Sequence, residues 1–122
     1  MPNRVEVLSN GYASMDSQCA TKDELGCVRA NCSCVLITGN ACVIVDTMTP
    51  WDRKFILDSL ETRGIKPDDV DFVVSTHGHS DHHGNNNLFL KAKHIVGFCV
   101  SFQDQYCLHP FDQGNLIFIS II

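Results

Sequence analysis

The apolar and polar positions along the chain predict a strand-rich start. A short apolar run at residues 5–8 predicts a first edge strand. Residues 13–30 are polar and mixed, and predict a loop. Clearer signals follow. Residues 33–38 are rich in apolar and β-branched side chains, and Gly39-Asn40 is a two-residue hairpin turn. Residues 41–46 run back as Ala-Cys-Val-Ile-Val-Asp, which predicts a strand buried on both faces.

A helix is expected from Thr49. Thr49 suits the cap, Pro50 the first helical position, and Asp52 lies three residues after the cap. Phe55, Ile56, Leu57 and Leu60 give it an apolar face, and Gly64 ends it. Pro67, Asp68 and Asp69 predict a turn or short helix, and residues 70–75 the next strand. Strand, helix and strand make a βαβ unit, which favours parallel pairing and places functional groups past the carboxyl ends of the strands. Asp46 and residues 76–82 fall there. A short helix over 84–90 and a strand over 94–100 are the remaining expectations.

The chain has 122 residues, enough for one domain with its own core. Its apolar fraction is 44 % and its charged fraction 19 %, which excludes fibrous and disordered classes. The net charge is −5 and no basic run occurs, so charge alone offers no footprint for nucleic acid. An RNA substrate stays open, because a metal ion can supply the positive charge that a phosphate needs. The start reads as no signal peptide, and no apolar stretch approaches the ~20 residues that span a bilayer. The expectation is a chain of the cytosol, or of the nucleus, with no membrane partner. Seven cysteines, an odd count, fit reduced thiols. Cys32 and Cys34 share one face of a strand, as packed thiols or as half of a zinc site.

The chemistry is concentrated in one place. Four of the six histidines, His77, His79, His82 and His83, lie within seven residues, with Asp81 among them. Imidazole and carboxylate suit zinc and similar divalent ions. Residues two apart point the same way in extended chain, so His77 and His79 can lean onto one ion; on a helix they would diverge. Asp81 and His82 need a curl of the chain and give a second direction, which suggests two neighbouring metals. Gly78 and Ser80 are small enough to permit the curl. Four histidines with an aspartate are hard to explain as core packing. A nonspecific metal-binding tract is the plainer competing reading.

The run Thr76-His77-Gly78-His79-Ser80-Asp81-His82 resembles the His-x-His-x-Asp-His signature of metallo-β-lactamase-fold hydrolases. Val43-Ile44-Val45-Asp46-Thr47 before a proline-started helix is also similar to that family, and the resemblance covers about residues 28–114. It implies an α/β fold, the amino-terminal part of an αββα sandwich. It implies two zinc ions, one held by His77 and His79, the other by Asp81 and His82. Asp81 would also steer the attacking water or accept its proton, and Asp46 would support the site loop without binding metal. Within the family, the resemblance implies an endoribonuclease acting on histone pre-messenger RNA. A glyoxalase-II-like thioester hydrolase would share the same four ligands.

The sequence also departs from the family. His83 stands where the family usually has an aliphatic residue, and reads as a bystander. The family's later metal ligands have no counterpart, since only 40 residues follow His82, with His94 and His109 among them and no Gly-His-Thr segment. Residues 116–122 are nearly all apolar, and residues 115–122 read as a tail foreign to the family. The expectation is a single, truncated domain over residues 1–122. An inactive fragment that binds metal weakly, or a homodimer in which a partner supplies what is missing, is the non-catalytic alternative.

Overall fold

A computed structural model describes residues 2–15 and 28–107. Among them is a seven-stranded sheet in the order β1 (Arg4–Ser9), β4 (Cys34–Thr38), β5 (Val43–Val45), β6 (Phe72–Ser75), β7 (Lys93–Val96), β8 (Cys99–Phe102) and β9 (Gln105–Cys107). β2 (Tyr12–Met15) and β3 (Val28–Asn31) form a separate antiparallel pair. That pair corrects the loop expected over 13–30. Alternation there is too short to signal a strand, and cross-strand pairing supplies what local propensity does not.

The expected hairpin is present, with β4 and β5 antiparallel around Gly39-Asn40. The βαβ unit is present too, with β5 and β6 parallel. β7 extends the parallel block beside β6, so both neighbours of β6 run in its direction. Val43 and Ile44 point to opposite faces and both are fully buried, as the unbroken apolar run requires.

The crossover helix starts as a 3₁₀ turn, Pro50–Asp52, and continues as α1 (Arg53–Thr62). Thr49 donates from its backbone N–H (3.1 Å) and its hydroxyl (2.6 Å) to the Asp52 carboxylate, which also accepts from Asn31 Nδ2 at 3.0 Å. Burial raises the Asp52 pKa, but the hydrogen bonds from Thr49 and Asn31 outweigh it and hold the carboxyl below its ordinary range. Gly64 closes the helix at φ +70°, the left-handed region that glycine enters without penalty. Ile56 and Leu60 face the sheet, whereas Phe55 is 41 % exposed and lies off the core face. They pack with Cys34, Leu36, Ile44, Val73 and Phe89 in one core cluster. Arg63 Nε donates to Glu6 Oε2 at 2.7 Å and ties the helix end to β1.

Two later expectations need correction. The short helix starts earlier than residue 84, as α2 (Ser80–His83), followed by a 3₁₀ turn, Asn86–Leu88. The strand expected over 94–100 is two strands, β7 and β8, paired antiparallel around Gly97 at φ +57°. A glycine inside an apolar run marked that reversal.

Candidate metal centre

The loop after β5 anchors the histidine segment. Asp46 and Met48 both adopt left-handed backbone, with φ of 61° and 62°. Such residues cost about 1–3 kcal/mol each and persist only where the surroundings fix them. Asp46 N–H donates to Val74 O at 2.7 Å, and Thr47 N–H donates to His82 O at 3.1 Å. Gly84 N–H donates to Met48 O at 2.8 Å. A Cβ at Gly84 would collide with that carbonyl and lie 2.5 Å from the Pro50 nitrogen, so only glycine permits the approach.

Asn85 completes the attachment from a fully buried position. Its Nδ2 donates to Thr47 O and Thr49 O, both at 2.7 Å, and its N–H donates to the Thr47 hydroxyl at 3.0 Å. That hydroxyl donates to Asn86 Oδ1 at 2.7 Å, and Asn86 Nδ2 donates to Ser75 Oγ at 3.0 Å. These groups sit where water cannot replace a lost partner, so the network is costly to break. The sequence reading missed Thr47, Gly84, Asn85 and Asn86. The run Asn85-Asn86-Asn87, so close to the histidines, was the available signal.

The predicted site residues come together at the carboxyl ends of β5 and β6. Asp46 is buried, and its carboxylate accepts from Thr76 N–H at 2.8 Å and from the Thr76 hydroxyl at 2.9 Å. His82 Nδ1 lies 2.9 Å from Asp46 Oδ2. A carboxylate only accepts, so the neutral ring carries its hydrogen on Nδ1 and leaves the Nε2 lone pair free. That free Nε2 lies 3.6 Å from Asp81 Oδ2. His77 and His79 are exposed, with ring centroids 4.7 Å apart, edge to face. The His77 ring lies tilted against His82 at 3.9 Å.

The donors are thus grouped on one rim as pairs. Among the described residues no three His, Cys, Asp or Glu side chains gather round a common centre. The chemistry of the rim still fits zinc. Two ligands held about 2.0–2.2 Å from a tetrahedral ion stand roughly 3.3–3.6 Å apart, and His82 Nε2 and Asp81 Oδ2 meet that separation. His77 and His79 are both exposed, and His77 Nδ1 lies 3.1 Å from the Thr76 hydroxyl. His83 turns away, towards the Gly78 carbonyl. His94 on β7 faces the Phe89 carbonyl at 2.9 Å and takes no part in the rim, and His109 lies outside the described residues.

Cys32 and Cys34 are buried free thiols on one face, flanking exposed Ser33. Burial pushes them up to about 11 and about 12 respectively, so they stay protonated. Packed thiols are what the structure shows there. Among the described residues no helix is long and apolar enough to cross a membrane.

A βαβ crossover thus carries a His-x-His-x-Asp-His run past the carboxyl ends of two central strands, backed by a buried aspartate. The Metallo-beta-lactamase superfamily model matches residues 28–121. Metallo-beta-lactamase domain-containing protein 1 of Xenopus laevis is 41 % identical over 114 residues, covering 93 % of this chain and 46 % of that protein. The human protein of the same name is 43 % identical over 75 residues, covering 60 % of this chain and 28 % of its own length. A putative metallo-beta-lactamase from Thermotoga maritima has the same fold, with a TM-score of 0.59 and 22 % identity over 75 % of this chain and 42 % of that one. The chain belongs to the metallo-β-lactamase superfamily. It spans about half the length of the Xenopus relative.

Proposed function

We propose that residues 76–84 form the metal-binding rim of a zinc-dependent hydrolase acting on RNA phosphodiesters. The observation that carries this reading is the relay from Asp46 to His82 to Asp81. A buried carboxylate fixes the ring so that its free nitrogen faces a second carboxylate at ligand spacing. His77 and His79 would hold one zinc, and Asp81 and His82 the other. Zinc bound there acidifies water and polarises the scissile group near neutral pH. Asp81 would steer the attacking water, or accept its proton on the carboxylate oxygen that does not hold the ion. Asp46 keeps the His82 hydrogen on Nδ1 throughout. The RNA substrate, a histone pre-messenger RNA, rests on the family resemblance alone. Its phosphates would find positive charge in the metal rather than in this acidic chain.

The test is zinc content per chain by elemental analysis, with hydrolysis assays on an RNA oligonucleotide and on a thioester. Near-stoichiometric zinc, lost in His77→Ala and His79→Ala, with RNA cleaved and the thioester untouched, supports the proposal. Thioester cleavage alone favours the glyoxalase-II-like reading.

A second reading, a weak metal binder without activity, is favoured by the lack of any three gathered donors among the described residues. It expects zinc only at millimolar concentration and no hydrolysis, unless a second copy completes the site as a homodimer.

A further inference from the structure

The loop carrying His77 and His79 is held at both ends. Thr76 N–H is bonded to Asp46, and His79 O accepts from His82 N–H at 2.9 Å. Its middle is Gly78, where a Cβ would meet nothing within 4 Å among the described residues, so no packing from them restrains that peptide. Glycine there has the widest choice of conformers. Among the described residues, one side chain donates to its carbonyl. His83 Nε2 lies 3.1 Å from Gly78 O. A carbonyl only accepts, so Nε2 donates. His83 is itself fixed, because both neighbours are bonded to the β5–α1 loop, His82 O to Thr47 N–H and Gly84 N–H to Met48 O.

We infer that His83 is a positioning residue: it clamps the Gly78 carbonyl and thereby sets how His77 and His79 stand relative to the Asp81 and His82 pair. The inference rests on the metal reading above for its consequence, but the clamp itself belongs to the metal-free chain. Through it, the rigid attachment of α2 to the sheet is passed to the two exposed histidines. A donor at residue 83 replaces the packing that Gly78 lacks.

The experiment compares the wild type with His83→Leu, His83→Gln and the double variant Gly78→Ala/His83→Leu. Backbone ¹⁵N relaxation of the metal-free chains reads the order of residues 77–79, and Co²⁺ titration followed by visible absorption reads the affinity. His83→Leu is expected to lower the order of 77–79 and weaken Co²⁺ binding about fivefold to tenfold, the worth of one exposed hydrogen bond. Its thermal midpoint should stay at the wild-type value. His83→Gln keeps a donor and should restore both readings. Gly78→Ala, tolerated in that open space, restricts the loop directly and should recover part of the loss. Unchanged order and affinity in His83→Leu would overturn the clamp and leave the metal reading standing. A wild type that takes up no Co²⁺ would overturn the metal reading, while the relaxation data still decide the clamp.

Discussion

His82 Nδ1 and Asp46 Oδ2 stand 2.9 Å apart, although 36 positions separate the residues in the chain. One belongs to α2, the other to the loop just past β5. The parallel pairing of β5 with β6 brings them together, since α2 begins only five residues after β6 ends. The same carboxylate anchors Thr76 through its backbone and its hydroxyl. One buried group therefore orients the first residue of the histidine loop and the last histidine of the motif.

Asp46→Asn should separate orientation from backbone strain. Asparagine tolerates the left-handed backbone at this position, but its amide cannot accept from Thr76 and His82 as a carboxylate does. Zinc affinity should fall about 10-fold to 100-fold, as for other partners of metal-binding histidines. Stability should fall by about 1–3 kcal/mol. Chelator competition and urea unfolding measure the two effects.

Gly84→Ala should cost about 3 kcal/mol of stability. The added methyl meets the backbone of Met48, Thr49 and Pro50, which cannot yield as a flexible side chain would. Chemical denaturation followed by far-ultraviolet circular dichroism gives the value. A stability equal to that of the wild type would contradict the close approach.

Asn85→Leu preserves volume and removes the donors to Thr47 O and Thr49 O. Thr47 O then loses its partner, whereas Thr49 O keeps the Asp52 N–H at 2.9 Å, and a loss of about 1–3 kcal/mol is expected. Hydrogen exchange should show faster exchange at Thr47, Gly84 and Asn85. The hydrogen-bonded amides of the β5–β6 pair should stay protected.

The buried thiols set an alkaline limit. Burial raises Cys32, Cys34 and Cys42 from the ordinary 9.0 to about 11, 12 and 11. Above pH 9 the unfolded chain loses protons that the folded chain keeps, so stability falls as pH rises. The contribution is whole below pH 9 and is lost progressively towards pH 11–12. Urea midpoints compared at about pH 8 and about pH 10.5 should show the decline, reduced in Cys34→Ala after allowance for its lost packing. Flat midpoints across that range would refute it.

The central elements were legible in the sequence because their signals are local. The apolar run at 41–46, the turn at Gly39-Asn40, and the Thr49, Pro50 and Asp52 start with its Gly64 stop each encode their own geometry. The spacing of His77, His79, Asp81 and His82 singled out the segment that the fold places past the carboxyl ends of β5 and β6. The β2–β3 pair, the hairpin at Gly97 and the early start of α2 were not legible. The first two depend on pairing between strands. The third depends on bonds from Thr47 and Met48 to residues 82–84.

What the chain alone determined is therefore the candidate residues and the strand ends that carry them. Periodicity and residue type are properties of neighbours in sequence, and they suffice for that. Only the tertiary structure decided how the donors face one another. Asp46, Gly84 and Asn85 act across the gap between two parallel strands, through burial, close approach and hydrogen-bond direction. Those quantities exist only once the sheet has brought residues 46–49 against residues 76–86.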